Sequence, residues 1–489
     1  MTYQGLGEVE FGHIAAEDEA DDLQRYFVET AEYIDVVANR GRILVIGRKG
    51  SGKSAIYVAV RDYLPNRDES VVVDALTLQD YPWEVHKRVR DTGVPAEQSY
   101  VNSWEYIIWI LLAKKLLSFG QPARYRFVDT LLWRRLFNAN RRYLHRFLCR
   151  NYGSAAPTFG ELLADRARQV RSLSLKGIGM DVSPEQDPFQ CLTRSINFVN
   201  RELRSRVLSV LSREKRYYLL FDQLDIGWDS TEETKQLLIG LILAARNVVR
   251  AAEGVGSEVH VVVFLRSDIY ESLRFEDKNK ISPSVVELRW DDQRLRELVS
   301  RRVRASADGT WEDVFTGVQM RSRVSQLSYI VKRTMLRPRD MIQFCVCAKN
   351  AAMALSRNRV DNESIYDTSS PYSEYMRREI QDECKASVPE IDDLLGVIQE
   401  IGLETITRER FLEACESRRI NGEQALRQLI DLSVIGVYRT GGRRGGSEIV
   451  FRYQAQPWEQ LEPTPRLAVH PSLKQTLGLV EPRSRRGSQ

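Results

Sequence analysis

An α/β fold, a parallel sheet sandwiched by helices, is predicted for the first 290 or so residues by three observations. Short apolar runs rich in β-branched residues recur at 43–46 (ILVI), 70–76 (SVVVDAL), 217–221 (YYLLF) and 259–265 (VHVVVFL), as expected of strands buried on both faces. Longer stretches with helical spacing lie between them, among them 98–117 and 191–211. The first run also passes without a gap into Gly47-Arg48-Lys49-Gly50-Ser51-Gly52-Lys53-Ser54, after which 55–64 reads as a helix. That strand–loop–helix setting is what a phosphate-binding loop requires.

The residue types of the loop follow from its chemistry. Gly47, Gly50 and Gly52 let the backbone close around a phosphate chain, so that the N–H groups from Gly47 through Arg48, Lys49 and Ser51 to Ala55 face negative charge at the start of a helix. Lys53 can reach the β and γ phosphates, and the Ser54 hydroxyl can ligate Mg²⁺. The other half of such a site is expected at the end of the 217–221 strand, where the Asp222 carboxylate would hold the metal through its water shell. Gln223 follows, where many P-loop ATPases carry Glu, and an amide cannot act as a general base. Either Asp225 takes that role, or hydrolysis is slow and nucleotide state is itself the output; Asp225 as a structural partner of an arginine is an equal alternative. The next strand ends in Arg266, a cation placed to sense the γ-phosphate unless it is occupied by Asp268. A nucleoside triphosphate with Mg²⁺ is the expected ligand, and the sequence leaves the identity of the base open.

At 489 residues, 43% of them hydrophobic, the chain exceeds what one core supports. The expected division is a lead-in helix at 1–41, a P-loop core at 42–290 with a helical insertion at about 120–190, a helical lid at 291–370, a winged-helix domain at 371–470 and a basic tail at 471–489. Lys and Arg number 71 against 67 Asp and Glu, a net charge of +4, which argues against a protein that coats nucleic acid over its whole surface and permits local basic faces. Six cysteines, Cys149, Cys191, Cys345, Cys347, Cys384 and Cys415, have no metal-ligand spacing. The start MTYQGLGEVEFG has neither a basic nor an apolar leader region, and the apolar stretch at 107–117 is interrupted by Lys114 and Lys115. No membrane contact and a cytoplasmic location are therefore expected.

Within the insertion, residues 124–150 interleave arginines with Tyr125, Phe127, Trp133, Phe137, Tyr143 and Phe147. This suits either a nucleic-acid surface or an amphipathic helical pair with solvated arginines. A short hairpin is expected at 173–182 around Gly177 and Gly179. In the lid, Leu336-Arg337-Pro338-Arg339-Asp340 puts a proline in the first turn of a helix. Arg339 would sit near the pocket entrance, with Arg337 as its rival. Three short helices at 391–402, 407–417 and 421–433 precede a hairpin at 434–453 whose glycine-rich tip carries Arg443 and Arg444. Three helices and a hairpin make a winged helix, with Thr407 and Asn421 as N-caps. Arg443 and Arg444 could follow DNA phosphates without reading sequence; docking of a partner protein is the equal alternative.

This order of parts resembles the AAA+/STAND division of P-loop ATPases. Within it the chain is similar to a group of bacterial ATPases sharing the stretches FGHIAAEDEADD, IGRKGSGKS, FDQLDIGW, ELRWDD, RPRD and HPSLKQTLGL. The C-terminal module is similar to those that follow the lid in origin-recognition ATPases. The resemblance implies ATP and Mg²⁺ as ligands, Arg266 in a first sensor position and Arg339 in a second. It also implies an association with DNA transactions or anti-phage defence. A partner effector and self-assembly around nucleotide, with an arginine acting in trans, are further expectations. A different class remains open, a nucleotide-stabilised scaffold or switch that binds DNA or an effector without significant turnover.

Overall fold

The structure is a computed structural model that describes residues 3–79, 81, 83–88, 94–118, 139–149, 199–321, 323–384, 388–440, 447–455 and 459–481. The chain divides into two compact units. One comprises Glu29–Arg48 and Lys53–Leu288; the other comprises Met1–Val28, Lys49–Gly52 and Arg289–Gln489.

The first unit is built on five parallel strands, β1 (Leu44–Gly47), β2 (Val71–Thr77), β3 (Arg216–Asp222), β4 (Glu258–Arg266) and β5 (Val285–Glu287). Their order is β2-β3-β4-β1-β5. All four apolar runs form strands within two residues of their expected bounds, because a run buried on both faces has no polar side to face water. The long helix Ala96–Ser118 forms as expected and packs on Glu232–Glu253. Sequence reasoning passed over this second helix, although Thr231 caps it by accepting from Thr234 N. The two helices approach closely at Gly240, where an added Cβ would lie 2.7 Å from Tyr100 Cβ and 2.9 Å from its backbone carbon. Beside that crossing Trp104, wholly buried, donates its indole N–H to Leu237 O at 2.9 Å.

The same core holds a buried polar chain. Ser103 donates to Tyr100 O at 2.9 Å, which leaves its oxygen to accept from His86 Nε2 at 2.6 Å. His86 Nδ1 must then accept from the Tyr81 hydroxyl, so the ring is the neutral Nε2–H tautomer.

In the second unit the N-terminal segment packs with the helices that follow residue 289. Gln4 N donates to Ala307 O at 3.1 Å and Lys349 Nζ to Val9 O at 2.6 Å. Arg302 grips Glu19 through two hydrogen bonds of 2.9 Å, both side chains buried. The single lead-in helix expected before β1 is instead two, Ala20–Tyr26 and Ala31–Ala38. Thr30 accounts for the break, since it is extended and its side chain accepts from Tyr33 N, starting a new helix.

Helices Asp292–Ala307, Pro338–Ala354 and Ser369–Cys384 precede three shorter ones, Ile391–Ile401, Arg408–Ser417 and Gly422–Asp431. Thr407 and Asn421 cap the last two by accepting from Arg410 N and Gln424 N. A second, antiparallel sheet runs β6-β9-β7-β8, from β6 (Thr405–Thr407), β7 (Ile435–Thr440), β8 (Ser447–Val450) and β9 (Arg466–Val469). The β7–β8 hairpin follows the three helices, while β6 and β9 had no clear signal in runs of three and four residues. The hairpin tip with Arg443 and Arg444, the 173–182 hairpin, most of the 120–190 insertion and the last eight residues lie outside the described residues. Among the described residues no helix is long and apolar enough to cross a membrane.

Burial holds the His86 imidazole down at a pKa of about 3, against about 6.5 in an unfolded chain. The unfolded state therefore binds a proton that the folded state refuses, and stability falls as pH drops from about 6.5 towards 3, by about 1.4 kcal/mol per pH unit for this group. Urea midpoints at pH 7, 6 and 5 should show this dependence reduced by about one proton in His86→Phe relative to wild type; identical pH dependences would remove His86 as the cause.

Candidate functional site

The first functional residues are set by the end of β1. All four residues of β1 are buried, and its parallel register with β4 pairs Gly47 with Arg266. The loop then turns through Gly50 and Gly52, with φ of 80° and 95°, values that only glycine adopts without strain. The helix Lys53–Val58 begins directly after it.

Lys53 lies back across the loop, its Nζ donating to Gly47 O at 2.8 Å and to Arg48 O at 3.1 Å. Burial pushes the ammonium pKa down, while the charges of Asp222, Asp225 and Asp268 oppose that shift. Ser54 Oγ donates to Asp222 Oδ2 at 3.2 Å. Asp222 is 5% exposed at the end of β3, and the contact joins two oxygens from positions 168 apart in the chain. Arg48, Lys49 and Ala55 are half-buried and Ser51 is buried.

Immediately after Asp222 the backbone becomes left-handed, with Gln223 at φ 62°. A side chain there costs about 1 kcal/mol. Ile226 N and Trp228 N close a turn onto Gln223 O and Asp225 O, and this turn carries Asp225 into solvent. Arg266 makes a two-pronged bond to Asp268, Nε–Oδ1 3.1 Å and Nη2–Oδ2 2.7 Å. The structure thus brings Gly47, Lys53, Ser54, Asp222 and Arg266 to neighbouring strand ends of one unit, and holds Arg266 on the very carboxylate that sequence reasoning weighed against a sensor role.

These residues fit a magnesium–nucleotide. The hydroxyl and carboxylate of Ser54 and Asp222 form an all-oxygen pair, which suits an ion that keeps several waters and takes its remaining ligands from phosphate. Among the described residues no group of three or more His, Cys, Asp or Glu comes together as a separate metal site.

Arg337 and Arg339 belong to the second unit, which takes in Lys49–Gly52. Within it, Arg337 is 1% exposed and donates to Asp340 at 2.8 Å, Glu383 at 2.9 Å and Lys49 O at 3.1 Å. Burial alone would lower its pKa, yet the Asp340 and Glu383 carboxylates hold it well above the usual guanidinium value. Arg339 pairs with Glu379 at 3.1 Å, its N–H 3.4 Å from Gly50 O. Trp290, from the ELRWDD stretch, donates to Ser51 O at 2.8 Å. Sequence reasoning did not foresee that Arg337 and Trp290 grip loop carbonyls; the tryptophan beside charged residues was the available signal. Arg443 and Arg444 lie outside the described residues.

Residues 293–381 match the model of the FunZ-associated C-terminal helical domain. The chain is 22% identical over 369 residues to the putative transposon gamma-delta 80.3 kDa protein of Escherichia coli (strain K12), across 73% of this chain and 49% of that protein. It thus spans about half the length of the curated relative it matches. Among solved structures, the Aeropyrum pernix ORC1 protein in complex with DNA is 13% identical, covering 96% of this chain and 93% of that one, at a TM-score of 0.34. The Aeropyrum pernix ORC2 protein in ADPNP–ADP complexes is 11% identical over 91% of each chain, with a TM-score of 0.36. Superpositions this loose say nothing about function.

The helical segment matched by the family model contains both arginines, and they differ in what they hold. Arg337→Met strands Asp340, which is 0% exposed, and Glu383, and should cost about 3–5 kcal/mol of stability in chemical denaturation. Arg339→Ala breaks one ion pair at a partly exposed site and should cost about 1–2 kcal/mol. Equal costs would show that Arg337 is no anchor.

Proposed function

We propose that this chain is an ATP-binding P-loop protein that hydrolyses ATP and couples nucleotide state to movement of its C-terminal helices and hairpin. The observation that carries the reading is the contact between Ser54 Oγ and Asp222 Oδ2 behind a loop whose Lys53 bonds its own carbonyls. These are groups that exchange internal partners for phosphate and metal at little cost. On binding, Lys53 leaves Gly47 O and Arg48 O for the β and γ phosphates, and the loop amides cradle the same phosphates. Ser54 and Asp222 would hold Mg²⁺, which when bound would supply charge neutralisation at the β and γ phosphate oxygens. Arg266 exchanges Asp268 for the γ-phosphate, which makes it a reporter of hydrolysis. The resemblance to AAA+ ATPases adds Arg339, paired with Glu379, in a second sensor position.

The C-terminal module is read as a winged helix whose tip residues Arg443 and Arg444 contact DNA phosphates. The name of the E. coli relative, a putative transposon protein, supports a DNA setting, while the resemblance to AAA+/STAND ATPases extends it to anti-phage defence, a partner effector and assembly around nucleotide. A switch that binds nucleotide without significant turnover is favoured by the one observation that an amide, Gln223, stands beside Asp222.

Phosphate release from MgATP by the purified protein, with and without duplex DNA over a salt series, tests these readings together. Lys53→Ala should lower release about 100-fold or more. Any stimulation by DNA should fade with salt and weaken in Arg443→Ala/Arg444→Ala. Equal release by wild type and Lys53→Ala would contradict hydrolysis at this loop, and DNA binding unchanged by the double substitution would remove the wing from the reading.

A further inference from the structure

Gln223 combines three unusual properties at one position. It directly follows Asp222, whose carboxylate meets the Ser54 hydroxyl. Its backbone is left-handed, at φ 62°, although it carries a long side chain. Its Oε1 is buried without a hydrogen-bond partner among the described residues. A buried carbonyl oxygen is ordinarily satisfied, and an exception calls for a missing donor; strained backbone likewise concentrates where function needs a group held in place. Asp225, the alternative base two residues on, is in solvent, where a carboxylate is hydrated and mobile.

We infer that the missing donor is the attacking water of ATP hydrolysis, and that Gln223 holds it. This inference rests on the nucleotide reading above and names the group that orients the nucleophile within it. A water donating one O–H to Oε1 is fixed beside the carboxylate that holds the metal, with a lone pair left to attack. Its oxygen bonds to the γ-phosphorus as the bond from that phosphorus to the β–γ bridging oxygen breaks. ADP leaves, the water's proton passes to a phosphoryl oxygen, and the amide is chemically unchanged. Gln223 thus needs no basicity, since orientation alone supplies its part of the rate, and the left-handed backbone sets where the side chain departs from the strand end.

The test compares wild type, Gln223→Gly, Gln223→Glu and Lys53→Ala in single-turnover and steady-state ATP hydrolysis, with MgATP affinity measured in parallel. Glycine accepts φ 62° without strain, so Gln223→Gly removes the amide and keeps the turn. It should lower turnover about 100-fold with affinity unchanged. Gln223→Glu offers an oxygen to the same water and should restore turnover to within about tenfold of wild type. Wild-type turnover in Gln223→Gly, a parallel loss of affinity, or a Gln223→Glu protein as slow as Gln223→Gly would each overturn the inference. A wild type that binds MgATP without hydrolysing it would also overturn it and leave the nucleotide reading standing. Equal failure of wild type and Lys53→Ala to bind MgATP would remove that reading itself.

Discussion

The site depends on one topological constraint, the insertion of β4 between β1 and β3. Parallel strands leave all their C-terminal ends on one edge of a sheet, where ligands of open α/β folds collect. With β4 in the middle, that edge presents Gly47 at the end of β1, Arg266 at the tip of β4 opposite it and Asp222 at the tip of β3. The hydroxyl–carboxylate contact at 3.2 Å follows from that order. Strand burial supplies the frame: β1 and β3 are buried along nearly their whole length, and the polar groups sit at their ends.

The polar groups on that frame are paired with one another or with loop carbonyls. Lys53 is bonded to loop carbonyls, Ser54 to Asp222 and Arg266 to Asp268. Each satisfies a charge or donor that would otherwise be costly beside a buried strand, and under the proposed function each is exchanged for a phosphate oxygen or a metal. Arg337 is different. It is enclosed by Asp340 and Glu383, an arrangement that is strongly destabilising to break and that suits a structural anchor. Gln223 is the converse case, a position where the local rules are broken in both backbone and hydrogen bonding, as expected of functional positions.

Much of this was legible in the sequence. The four apolar runs, the glycine-lysine-serine loop and the acid at the end of 217–221 each state a local requirement that one stretch of chain can display. The caps Thr407 and Asn421 were readable for the same reason. What the sequence could not display was pairing across distance, by which Arg337 and Trp290 reach loop carbonyls, or the surroundings that leave the Gln223 acceptor unsatisfied among the described residues; the pairing of Arg266 with Asp268, two residues on, was one of the two readings the sequence offered. The lead-in was misread as one helix because 18–39 keeps helical spacing throughout, while Thr30 divides it by a side-chain hydrogen bond. Helix Glu232–Glu253 was missed although its cap and period are plain, and β6 and β9 were missed because strands so short carry little pattern.

The central claim is that Ser54 and Asp222 together make the metal side of a nucleotide site. The most direct measurement is ATP affinity by titration calorimetry with Mg²⁺ and with a chelator, for wild type and Asp222→Asn. The account predicts that Mg²⁺ strengthens ATP binding about tenfold or more in wild type and that Asp222→Asn loses most of this difference. Mg²⁺-independent affinity in wild type, or an undiminished Mg²⁺ effect in Asp222→Asn, would contradict it.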